Sequence, residues 1–231
     1  MDAQSYSSRS EVDQQEVQRG IVAVAGSAAR AAGLYRGDWV TQDTGDGELA
    51  VLPASEPEIV VVDRYVRELE AELRRYNGRL RPESRLRLRV AMHFGPLSPA
   101  ELGHAGPTPI AVARLVDSSP LRAALSEADQ ANLALMLSDR VYTDTVASRV
   151  TTWRPEEFRR VQVHHKEFAE QAWLWVPEHD VHALDLTDDD TTTAPPAPPA
   201  PPPGAQHVVQ NSIGTVRAEN SVFGMSFGAQ Q

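Results

Sequence analysis

The sequence predicts an α+β domain, a ferredoxin-like or palm-type antiparallel sheet covered by helices, followed by a disordered Pro-rich linker and a β-prone tail. Segments with apolar residues at helical spacing alternate with segments in which they fall on every second residue. Some of the period-two segments form hairpin-like pairs, which favours antiparallel strands. Beyond residue 178 the patterning gives way to acidic and Pro/Ala-rich runs, and a β-prone apolar segment follows from residue 207. The expected organisation is a domain over 1–178, a linker over 179–206 and a terminal motif over 207–231.

Within the domain, 11–32 carries Val12, Val17, Ile21, Val24 and Ala28 at helical steps, and Gly33 stands where a C-terminal cap belongs. Residues 38–52 place Trp39, Val40, Leu49, Val51 and Leu52 on either side of Asp43-Thr44-Gly45-Asp46-Gly47, which predicts two short strands and a tight turn. Ile59, Val62, Val66, Leu69, Leu73 and Tyr76 define a second helix. Ser55 and Pro57 lie at its start and Asn77-Gly78 at its stop. Next, Leu86, Leu88, Val90, Met92 and Phe94 alternate with Arg85, Arg87, Arg89, Ala91 and His93. This is a strand with one buried face and a basic face that is solvated or covered by acidic neighbours. Residues 110–125 read as helix with a break near Pro120, 133–137 as strand, 138–147 as a short helix, and 158–166 and 172–176 as two final strands.

Composition narrows the function classes. Of 231 residues, the first three quarters or so suffice for one domain with its own core. The chain has no cysteine, which removes disulfides, thiolate nucleophiles and Cys-based zinc sites. It also lacks an apolar run long enough to cross a bilayer and a basic-then-apolar leader, so a cytoplasmic location is expected. A formal charge of -10 argues against general nucleic-acid binding, which draws on clustered Lys and Arg. Ser is plentiful, but no Gly-x-Ser-x-Gly elbow supports hydrolase chemistry. His164 and His165 are neighbours on a strand and so point to opposite faces, which makes them a poor chelate. The four tryptophans, Trp173 and Trp175 among them, read as packing residues.

The order of motifs over 2–177 resembles the class III nucleotidyl (adenylate/guanylate) cyclase homology domain, and more narrowly its divergent actinobacterial members. Asp2-Ala3-Gln4-Ser5-Tyr6-Ser7 is similar to that family's metal aspartate with its following small, aromatic and hydroxyl residues. Thr44-Gly45-Asp46-Gly47 is similar to the turn that carries the second metal aspartate. The strand 86–94 running into Gly95, the Ala113-Arg114-Leu115 helix and the terminal strand pair around Lys166 and Trp173 complete the order.

The resemblance implies that Asp2 and Asp46 hold Mg2+ or Mn2+. Two such ions would activate a ribose hydroxyl and neutralise phosphate charge. It implies that Arg114 neutralises charge on a phosphate, and that Gln42, Gly45 and Lys166 contact a nucleoside triphosphate. Asp46 also has a simpler reading as a preferred turn residue, and Arg114 as half of a surface ion pair. Three departures weigh against turnover. Ile110 replaces the asparagine expected after Gly106-Pro107-Thr108-Pro109, Gln42 stands where a purine-selecting lysine or glutamate belongs, and only Met1 precedes Asp2. Each lost electrostatic contact costs roughly 10²–10³ in rate, so a degenerate cyclase is expected. The family's first strand would lie before Asp2, so the expectation is that translation starts upstream; with the present start, Asp2 would sit on a mobile terminus.

The linker's Asp188-Asp189-Asp190, threonines and Pro/Ala run favour extended polyproline II. Beyond it, Val208, Val209, Ile213, Val216, Val222, Phe223, Met225 and Phe227 form a tail in which Asn211-Ser212-Ile213-Gly214 is loosely echoed by Asn220-Ser221-Val222-Phe223-Gly224. Low charge, β-propensity and no proline suit cross-β assembly, with a disordered terminus as the plain alternative. The layout is similar to bacterial amyloid-signalling proteins, and the tail loosely resembles their Val-Gln-x-Gly motifs. The expectation is a signalling or defence adaptor or effector that recruits a protein partner with a matching C-terminal motif, with a possible homodimer through its cyclase-like domain. The alternative is an active cyclase that the tail merely clusters.

Overall fold

The computed structural model describes residues 1–100, 103–165 and 168–187. Helix α1 (Glu11–Ala32) starts where the Ser10 hydroxyl accepts the Asp13 N–H, and ends where Gly33 turns at φ 80° and donates back to Ala29 and Arg30. Its stripe of Val17, Ile21, Val24, Ala28 and Ala32 is buried. Short α2 (Glu58–Val60), a π turn at Val61–Tyr65 and α3 (Val66–Asn77) follow one another without a break in helical backbone and form a single rod. Leu69 and Leu73 of that rod are fully buried beside α1. The remaining helices are α4 (Pro107–Val116), α5 (Ser119–Glu127) and α6 (Asp139–Tyr142), the last continuing as a π turn over Thr143–Ala147.

The strands are β1 (Asp2–Ala3), β2 (Val40–Asp43), β3 (Glu48–Val51), β4 (Leu88–Met92), β5 (Ser98–Ala100), β6 (Gly103–Ala105), β7 (Leu133–Ser138), β8 (Arg159–His165) and β9 (Phe168–Trp175). Five of them form the sheet, in the order β1-β4-β7-β9-β8. Only β4 and β7 run parallel, with Val90 opposite Leu135; the helical crossover through α4 and α5 makes that possible. The other pairings are antiparallel, as expected for an α+β fold.

Helices cover both faces of the sheet. On one, Leu88, Val90, Leu133, Leu135 and Leu137 meet α1 and the rod; on the other, Ala134, Met136 and Leu174 meet Leu115, Leu121 and Leu125 of α4 and α5. Strand β7 is central, so all six of its residues are buried, which accounts for its unbroken apolar run. The tryptophans pack as expected: Trp173 stacks on Tyr142 with centroids 3.6 Å apart, and Trp175 meets Trp153 edge-on at 4.7 Å.

Several expectations need correction. Pro120 does not break a helix but sits in the first turn of α5, where its missing N–H costs nothing; the break falls before it, at Asp117-Ser118. The alternating strand ends at Met92, and Phe94 is 49% exposed instead of buried. The last strand begins at Phe168, four residues early, because it pairs along the whole of β8 from His165 to Arg159. The β5–β6 hairpin had no period-two signal. The first residues read as linker lie against the second core cluster, with Val181 buried and its carbonyl accepting from Arg159. Linker residues from 188 onward lie outside the described residues. So do Lys166 and the tail positions Val208, Val209, Ile213, Val216, Val222, Phe223, Met225 and Phe227.

Candidate functional site

Strand β1 brings the two aspartates singled out in the sequence to one corner. The turn between β2 and β3 is built by Gly45, at φ 89°, whose N–H donates to Asp43 Oδ1 at 2.6 Å. From the other side the Gln18 amide of α1 donates to the Gly45 carbonyl at 2.7 Å. The turn then docks on β1: the Ala3 N–H donates to the Asp46 carbonyl at 2.8 Å and the Glu48 N–H to the Met1 carbonyl at 2.9 Å. Gly47 makes this approach possible, since a Cβ there would lie 2.1 Å from the Met1 carbonyl oxygen and 2.7 Å from Asp2 Cα.

Asp2 is therefore not on a mobile terminus; it is buried at 9% exposure and held in a ladder. Its carboxylate receives a residue that the sequence reading left on a generic basic face. Arg89, directly opposite in β4, donates Nε–H to Oδ1 and Nη2–H to Oδ2, both at 2.8 Å. This is the bidentate geometry that matches a guanidinium to a carboxylate. Burial still pushes the Asp2 carboxyl above its usual range, against the pull of Arg89, and the nearby charge of Asp46 adds to the push.

The rest of the basic face also has assigned work. Arg87 donates to the carbonyls of Leu125, Ala128 and Ala131, and so closes the carboxyl end of α5. Burial pushes its guanidinium below the usual range.

A two-metal centre needs both carboxylates free to coordinate. Both oxygens of Asp2 are already engaged by a permanent cation, and among the described residues there is no cluster of three or more His, Asp or Glu able to hold a metal. As arranged, the corner does not fit two divalent ions. The amino end of α1, which follows β1, carries Glu11 and Asp13 in its first turn and so is unsuited to a phosphate.

Gln42 is exposed on β2 opposite Leu49, and Arg114 is half-buried in the last turn of α4, where a cation suits the helix dipole. Ile110, in the place of the expected asparagine, is 52% exposed. The signal that could have found Arg89 is the strand alternation, which set it on the face opposite Leu88 and Val90; what it would meet there was not written locally.

No family model matches the sequence, and no curated protein matches it. Among solved structures, the chain is similar to the crystal structure of an adenylate/guanylate cyclase/hydrolase from Silicibacter pomeroyi, with 20% identity, 73% of this chain and 86% of that chain covered, and a TM-score of 0.47.

Proposed function

We propose that residues 1–187 are a catalytically degenerate cyclase-like domain in a signalling adaptor or effector, and that the C-terminal motif recruits a matching partner by β-templating in a bacterial signalling or defence system. The observation that carries the degenerate reading is the bidentate seat of Arg89 on Asp2. An arginine in that position supplies a fixed positive charge where catalysis would need an exchangeable cation. Exposed Ile110 and the acidic first turn of α1 support the same reading.

A second reading is favoured by one observation: β1 and the hairpin turn bring Asp2 and Asp46 together from 44 positions apart in the chain, each at the position that the family resemblance assigns to metal. If the domain is an active cyclase, Mg2+ or Mn2+ would have to displace Arg89, and Gln42 and Gly45 would face nucleotide across a homodimer. Product analysis decides between the two. The folded full chain is incubated with each nucleoside triphosphate and Mn2+. No cyclic nucleotide is expected; a cyclic product that disappears in Asp46→Ala would overturn the degenerate reading.

A further inference from the structure

A cavity of about 420 Å³ lies between β3, the carboxyl end of β4, the helical rod and the first turn of α4. This is within the roughly 300–1,000 Å³ typical of small-molecule sites. Leu49, Val61, Val90 and Val112 give it hydrocarbon walls. Among the described residues, three that line it carry a buried polar atom with no hydrogen-bond partner, Glu48 Oε1, Glu58 Oε1 and His93 Nδ1, and the Tyr65 hydroxyl lies against the Arg36 guanidinium. Glu48 is 7% exposed, so bulk water does not satisfy it. Glu48 gives its other oxygen to Arg36. Buried polar groups are nearly always paired, and three orphans around one cavity mark a place where a partner belongs.

The charges select the partner. Glu48, Glu56 and Glu58 line the cavity, and among the described residues no lysine or arginine does; Arg36 pairs with Glu48 from outside it, and a phosphate or carboxylate would still meet like charge at Glu56 and Glu58. The unpaired carboxylate oxygens of Glu48 and Glu58 call for hydrogen-bond donors on an apolar body. We propose that this cavity binds a small aromatic amine, with its N–H groups donated to Glu48 and Glu58 and its ring against the hydrocarbon walls. Burial pushes the Glu58 carboxyl up and Asp144 adds to the push, more than Arg140 offsets, so a further cation beside it relieves an unfavourable charge. Burial pushes His93 down, which leaves a neutral imidazole available to the ligand. The proposal is independent of whether the aspartate corner binds metal or nucleotide.

Calorimetric titration of the full chain tests it with three probes that share one ring: tryptamine, the neutral alcohol tryptophol and the anion indole-3-propionate. Tryptamine saturates a single site at least about tenfold more tightly than indole-3-propionate, the ratio expected from one charge-assisted contact. Glu58→Gln weakens tryptamine by about tenfold and tryptophol much less. Val112→Phe, which fills the cavity, removes binding of all three. Thermal melts establish that each variant is folded, and Glu58→Gln alone suffices if Val112→Phe is not. The proposal is overturned if tryptamine shows no saturable binding, if the three probes bind equally, or if Glu58→Gln leaves the tryptamine affinity unchanged.

Discussion

Replacing Arg89 by alanine should expose how the aspartate corner is held. The substitution removes two charge-assisted hydrogen bonds at 2.8 Å from a carboxylate whose side chain, like that of Arg89, is 12% exposed. Breaking one partner of a buried ion pair costs roughly 3–5 kcal/mol, mainly because the remaining charge is left without compensation. Some solvent reaches both groups, so about 3 kcal/mol near neutrality is expected. The cost depends on pH in a definite direction. Burial already holds the Asp2 carboxyl above its usual range, and removing Arg89 removes the main opposing pull. In the variant the folded state therefore binds this proton more tightly than the unfolded state does. The contribution is fully present below the unfolded value of about 3.9 and is lost as pH rises through the folded-state pKa. Urea denaturation of wild type, Arg89→Ala, Asp2→Asn and the double variant, at about pH 5 and about pH 8, measures the cost and the coupling. A loss under about 1 kcal/mol at the higher pH, or an equal loss at both, would refute the reasoning.

Asp63 gives the opposite pH behaviour. Burial disfavours its charge, but the Thr152 N–H at 2.6 Å, Arg67 at 2.8 Å and the Thr152 hydroxyl at 2.8 Å together hold its carboxyl below the usual range. Its contribution is present above the unfolded value of about 3.9 and lost as pH falls through the folded value; Asp63→Asn should cost about 2 kcal/mol at neutral pH and flatten the acid limb of a melting-temperature profile. Gly47→Ala places a Cβ 2.1 Å from a backbone oxygen, so β1 must part from the hairpin. Hydrogen exchange should then lose protection at the Ala3 and Glu48 amides, and retained protection at both would show that the close approach is relieved some other way. If the tail assembles as its β-prone sequence implies, Val222→Asp puts a charge into the second copy and abolishes sedimentable assembly of the full chain. Undiminished assembly would place the self-association elsewhere.

Much of the scaffold was readable because its signals are local. The cap of α1 at Gly33, the Gly-Asp turn after β2 and the alternation of Leu86, Leu88 and Val90 each depend on residues within one or two turns of chain. The site was readable only in part. Asp2 and Asp46 stood out by motif, but Arg89 is 87 positions from Asp2 and looks in sequence like any of three arginines on one strand face. Which of the three would meet an acid depends on β1–β4 register, and register is a pairing between distant segments.

The sequence by itself determined α1, the helical rod, the β2–β3 hairpin and the buried face of β4, because side-chain spacing and turn chemistry act over a few residues. Tertiary structure alone decided that Arg87 closes a helix, that Arg89 occupies Asp2, and that Glu48, Glu58, Tyr65 and His93 gather around one cavity. Each of these is a contact between elements far apart in the chain, where packing sets the distance between charges and burial sets their strength.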